Sequence, residues 1–206
     1  MGILIYRKCL FMQLSCLVMF TSTASAQPDS SNSERYDIKT CKIVYKFSNG
    51  MQEGIRTLIF DSWGDYKKET TQTNMLTFAK DDPSKISVDS FKSNIMIIRT
   101  PKSIYKLDID KRTGTKVNIQ NLPFSREALK SSRITIGKDT FLNRPCEIIE
   151  IDGAIRLWMW NKIPLKKQLI PVVNGIVIEE SAISIDENYS VSSAEFDVPG
   201  NIIVNE

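Results

Sequence analysis

The sequence predicts a mainly β protein of the α+β class: a strongly curved antiparallel sheet forming an incomplete barrel, with one or few short helices. Three observations carry this. From residue 41 to about 186 apolar and polar residues alternate at the two-residue period of half-buried strands. Turn residues punctuate nearly every stretch, and only one segment, 125–131, carries a helical pattern. About a dozen short strands joined by tight turns exclude βαβ units, and a sheet of that many strands must curl, split or close to manage its edges. It therefore encloses a concave surface.

Taken in order, the first 26 residues read as an export signal. Arg7 and Lys8 form a basic start, the apolar run 9–20 is too short for a bilayer span of roughly 20 residues, and Ala24-Ser25-Ala26 supplies the small residues that a signal peptidase accepts. Cleavage after Ala26 is expected. A lipoprotein signal built on Cys16 fits poorly, because Cys16 lies inside the apolar run and Gln13 stands where an aliphatic residue belongs. Cleavage leaves 180 residues, one domain's worth, with a net charge of about +1. That balance excludes a nucleic-acid or anionic-membrane footprint.

Residues 27–38 are polar and Ser-rich and read as a flexible leader, ahead of a single domain over 39–206. Within it Cys41, Ile43, Tyr45 and Phe47 share one strand face. After the Ser48-Asn49-Gly50 turn come 55–60, the Asp61-Ser62-Trp63-Gly64-Asp65 corner and a polar strand 66–73. Further strands are expected at 74–79, 85–89, 94–99, 103–109, 115–119, 133–137, 146–151, 155–160, 166–170, 176–180 and 182–186. Ser125 caps the helix 125–131.

The chemistry is defined by what is missing. The chain has no histidine, which removes the commonest general base and metal ligand. Glu147 and Glu150 fall on opposite faces of a strand, as do Glu179 and Glu180, so neither pair is a local carboxylate dyad. Asp108 with Asp110, and Asp81 with Asp82, lack the loop that calcium requires. No catalytic residue, metal ligand or cofactor is assigned, and the chain is not expected to be an enzyme. Cys41 and Cys146 are an even pair in an oxidising compartment; they either form a disulfide or stand as two buried thiols. Trp63, Trp158 and Trp160 are the candidate core or cavity aromatics, ordinary packing being the commoner role.

Two segments carry a resemblance. Asp61 and Gly64 form a corner between strands; later Gly137, Arg144 and Cys146 precede Trp158, Trp160 and the Pro164-Leu165-Lys166 step. In this order they resemble the exported envelope proteins built on the outer-membrane lipoprotein carrier (LolA/LolB-like) fold, including DUF4412-type domains of unknown function. The resemblance spans roughly 41–199 and implies an open barrel that holds acyl chains or other lipophilic groups. It implies a periplasmic protein of a Gram-negative bacterium, or otherwise a secreted one, that binds a lipophilic small molecule or lipoprotein-like cargo. The rival expectation is a protein-interaction module of an envelope complex, since an open barrel leaves strand edges able to accept a partner strand. Fewer helices appear here than the carrier has, and no functional residue is carried over from it.

Overall fold

The computed structural model describes residues 36–49, 52–78, 86–119, 132–170 and 178–205. The export signal and its cleavage point after Ala26, the leader up to residue 35 and the helix expected at 125–131 lie outside the described residues. Twelve strands form one sheet: β1 (Cys41–Ser48), β2 (Gln52–Asp61), β3 (Tyr66–Phe78), β4 (Ile86–Arg99), β5 (Ser103–Asp108), β6 (Thr113–Asn118), β7 (Arg133–Phe141), β8 (Arg144–Ile151), β9 (Ile155–Trp160), β10 (Ile163–Leu169), β11 (Glu179–Asp186) and β12 (Ile203–Asn205). Their spatial order is β12-β6-β5-β4-β3-β2-β1-β11-β10-β9-β8-β7, so the sheet stays open between β7 and β12.

All neighbours are antiparallel except β12, which lies parallel to β6. The stretches expected as separate strands at 66–73 and 74–79 are one strand, β3, and those at 85–89 and 94–99 are one strand, β4. Their register runs from Lys67↔Arg99 to Met75↔Phe91 without a break and resumes at Thr77↔Ser87 after a bulge. Three further bulges, at Val44/Tyr45, Pro164/Lys166 and Thr135/Gly137, bend the strands that carry them and increase the local twist. Two tight hairpins turn on non-glycine pairs with positive φ, Leu142-Asn143 and Asn161-Lys162.

The alternation in β2 distributes its apolar residues to both faces. Leu58 and Phe60 join Cys41, Ile43, Tyr45, Trp158, Trp160, Ile163 and Leu165 in one buried cluster. Ile59 points the other way and joins Ile98, Leu107 and Phe196 in a second. The first cluster draws residues from one face of β1, β2 and β8 to β11, here called the inner face. The second lies under the chain that follows β11, where a 3-10 turn, Ser193–Phe196, brings Phe196 onto β3 beside Tyr66 at a 5.6 Å ring separation.

One end of the inner face is plugged. Tyr36, Asp37 and Ile38, assigned to a flexible leader by their polar neighbours, are fixed: the Tyr36 ring sits 4.4 Å from Phe60, its N–H donates to the Trp63 carbonyl, and Asp37 pairs with Lys162 at 2.8 Å. Burial of Tyr36 and Ile38 against the first cluster offsets the entropy of ordering them.

Candidate ligand face

Along β1 and β2 the inner face changes from apolar to charged. The floor is Cys41, Ile43, Phe60 and Leu58; the next pair on the same face is Tyr45↔Arg56. Strand neighbours lie about 4.8 Å apart, so β2 and β11 stand roughly 10 Å from each other with β1 between. Arg56 crosses that gap. Its guanidinium lies over the Tyr45 ring, 4.1 Å from the centroid, and its Nε donates to Glu180 Oε1 on β11 at 2.5 Å. Its Nη1 donates to Glu69 Oε2 on β3 at 3.0 Å, and Glu69 is also held by Lys67 at 2.7 Å.

This shelf is withdrawn from water: the Arg56, Glu69 and Glu180 side chains are 15%, 7% and 17% exposed. Burial opposes charge on Arg56, yet Glu180 foremost, with Tyr45 and Glu69, more than offsets it and raises its pKa. Burial likewise opposes the Glu69 carboxylate, and Lys67 and Arg56 overcome it, so its pKa is lowered. Lys167, in register with Glu180, has its pKa lowered chiefly by burial, against the pull of Glu180. Burial also raises the Tyr45 pKa, and its hydroxyl donates to the Pro164 carbonyl at 3.2 Å. Glu69 stays ionised at neutral pH and Tyr45 stays protonated, so neither is tuned as a general acid or base. The shelf is a fixed polar cluster; beside it on the same face lie Thr71 and Thr73 of β3 and half-buried Ile95 and Ile97 of β4. Among the described residues no group of three His, Cys, Asp or Glu side chains could hold a metal ion.

A separate, half-open groove of about 350 Å³ lies at the far end of β2 to β4, lined by Gln72, Asn74, Lys92, Asn94 and Asp110 among others.

The residues singled out from sequence divide. Trp158 and Trp160, each 8% exposed, pack in the first cluster; Trp158 Nε1 donates to Asp139 Oδ2 at 3.0 Å, and Arg144 lies 5.1 Å over Trp160. Trp63 is not with them. It holds the Asp61–Asp65 corner at φ 56°, half-buried, with Lys39 6.0 Å from its ring. Cys41 and Cys146 do share the first cluster, but as free thiols and not as a disulfide; each donates to a nearby backbone carbonyl, of Lys42 and Arg144. Burial pushes the Cys41 thiol up to about 12 and raises that of Cys146. Arg56 and Glu69 were not singled out, and Glu180 was weighed only as a dyad with Glu179. The available signal was Arg56 on the face of Leu58 and Phe60, a charge where the alternation demands an apolar residue.

No family model and no curated protein matches the sequence. Solved structures share the fold. An uncharacterized conserved protein from Thermus thermophilus superposes with a TM-score of 0.54 at 8% identity, over 81% of this chain and 90% of that one. The likeness is one of fold. MucB matches at a TM-score of 0.47 and 10% identity, over 86% of this chain and 66% of its own. A domain assigned to outer-membrane lipoprotein sorting in Vibrio parahaemolyticus matches at 0.32 and 9%, over 78% of this chain and 90% of its own. Among the described residues no helix is long and apolar enough to cross a membrane.

Proposed function

We propose that this chain is an exported, non-enzymatic envelope module that binds a lipophilic ligand on the inner face of its curved sheet. The observation that supports it most is the grading of that face. A packed apolar cluster gives way to a buried, salt-bridged shelf of Arg56, Glu69 and Glu180, and half-buried Ile95 and Ile97 lie beside it on the same face. A buried ion network is a poor way to gain stability, because desolvation consumes much of its Coulomb energy. Ligand sites are built the other way, mostly apolar with a few placed polar groups that orient the ligand. Export to the periplasm, with the signal removed after Ala26, belongs to the same reading.

Native mass spectrometry of the exported protein, purified without detergent, tests this directly. A discrete added mass that extracts into organic solvent is the expected result and would give the ligand class. Protein that carries no such mass, and fails to take up fatty acids, phospholipid or a hydrophobic fluorescent probe after delipidation, overturns the proposal.

A further inference from the structure

The row of side chains that includes Glu180 of the shelf runs on across the next strands. Gly54, Phe47 and Glu180 are register partners across β2, β1 and β11; Lys167 pairs with Glu180 from β10, and Leu157 and Ile149 carry the row into β9 and β8. Two residues further along each strand, and so on the same side, Leu169, Ile155 and Ile151 are partners in turn. The bulge at Pro164/Lys166 makes this possible: Ile163 meets Trp160 on one side of it, and Lys167 meets Leu157 on the other. Five aliphatic side chains therefore lie together next to the shelf, on the side of β9 opposite Trp158 and Trp160. All five are half-buried, and none of them joins either buried cluster.

One cation stands between this stripe and the shelf. Lys167 has Leu157 on one side and Glu180 on the other, each a strand away at about 4.8 Å. Glu180 also accepts from Arg56 Nε. Burial foremost, with Arg56, outweighs Glu180 at Lys167 and lowers its pKa, so an added negative charge is favoured there. A singly charged head suits the place better than a dianion, which Glu180 would repel. We propose that the ligand is a long-chain fatty acid, its alkyl chain lying on Ile149, Ile151, Ile155, Leu157 and Leu169 and its carboxylate beside Lys167. This rests on the reading of the chain as a binder of a lipophilic ligand, and adds the charge of the head and the direction of the chain.

Displacement of a hydrophobic fluorescent probe from the delipidated protein at neutral pH, by decanoic, dodecanoic and tetradecanoic acids and by the alcohols of the same lengths, tests it. Affinity is expected to rise about fourfold with each methylene, and each acid to bind about tenfold or more tighter than its alcohol. Lys167→Met keeps the apolar stem and removes the charge, so acid and alcohol should then bind alike. Leu157→Gln should weaken both about tenfold and leave their ratio unchanged. Arg133→Gln removes another cation of this face, exposed on β7 in register with Ile151, and should change neither. Equal binding of acid and alcohol by the wild type overturns the proposal while a lipophilic binder still stands. So does a Lys167→Met variant that keeps the preference, a preference lost in Arg133→Gln instead, or tighter binding of an alkyl phosphate of the same length. Protein that takes up neither the probe nor any of these chains overturns the binding reading as well.

Discussion

Arg56 carries more of the inner face than any other side chain, and its removal is the clearest test of what the shelf is. Arg56→Ala leaves Glu180 with Lys167 beside it and Glu69 with Lys67, and weakening the buried network in this way costs toward the lower end of about 3–5 kcal/mol, read as a drop in the urea midpoint. Replacing the set by apolar residues of similar size, Arg56→Met with Glu69→Met and Glu180→Met, should recover most of that stability but lose the ligand if the shelf orients it. The pH dependence has a definite sign. The folded-state pKa of Glu69 lies below its ordinary 4.5, so its contribution is fully present above about pH 4.5 and is lost as pH falls through the folded value. Glu69→Gln should therefore flatten the acid limb of a stability-against-pH curve and leave its slope near neutrality unchanged. The thiols give a third test at this scale. Buried and raised in pKa, Cys41 and Cys146 should resist an alkylating reagent at pH 8 and both react once the protein is unfolded; two unreactive cysteines after unfolding would show a disulfide instead. Of these residues only the cysteines were legible as candidates in sequence. Arg56 announced itself as a charge on an apolar face, but its partner Glu180 lies 124 positions away, and no local pattern reports a pairing of that range.

At the scale of elements, most strands were visible because one face of each is buried and the alternation records it. The errors lie where that record lapses. β3 carries Lys, Glu, Thr, Gln and Asn along most of its length, so nothing in it marks continuity; its ladders to β2 and β4 supply that. β12 is three residues long and pairs in parallel with a strand about ninety positions earlier, which no local signal encodes. The hairpin at Leu142-Asn143 uses positive φ at a leucine, a residue that gives no turn signal. Glycines give a sharper reading. Phe47 lies over Gly54 across the β1–β2 ladder, and a Cβ there would stand 2.5 Å from the ring and closer still to the Gln72 carbonyl. Gly54→Ala is expected to destabilise by about 1–3 kcal/mol through overpacking against backbone that cannot yield. Gly137 differs: a Cβ would meet nothing nearer than Ile148 Cδ1 at 4.0 Å, and Gly137→Ala should be neutral or stabilising by a few tenths. Equal costs for the two substitutions in urea unfolding would refute the close approach of Phe47 to Gly54.

For the molecule as a whole, the difficulty is that one sheet has two faces. Curvature lets the inner face of β1, β2 and β8 to β11 cover itself, but Ile59, Ile98 and Leu107 point outward and need a second layer. The chain after β11 supplies it. Tyr189, Val191, Phe196, Val198 and Ile202 pack over these residues, Lys68 holds Glu195 at 2.9 Å, and β12 ties the end of the segment to β6. Two forces could fasten this strap, and their magnitudes separate them. The Lys68–Glu195 pair is partly exposed, with side chains 22% and 28% accessible, and is worth about 0.5 kcal/mol. Phe196 is 8% exposed, and cutting it to alanine removes its packing and leaves a cavity, about 3–5 kcal/mol. Phe196→Ala should therefore lower the urea midpoint several times more than Lys68→Ala, with the Lys68→Ala effect shrinking further in high salt. Ending the chain after Asp186 should go beyond either, exposing Ile59, Ile98 and Leu107 together as a contiguous apolar patch and driving the protein to aggregate. If the truncated chain stays soluble and unfolds at the wild-type midpoint, the second cluster is not a core, and the sheet is held by its inner face alone.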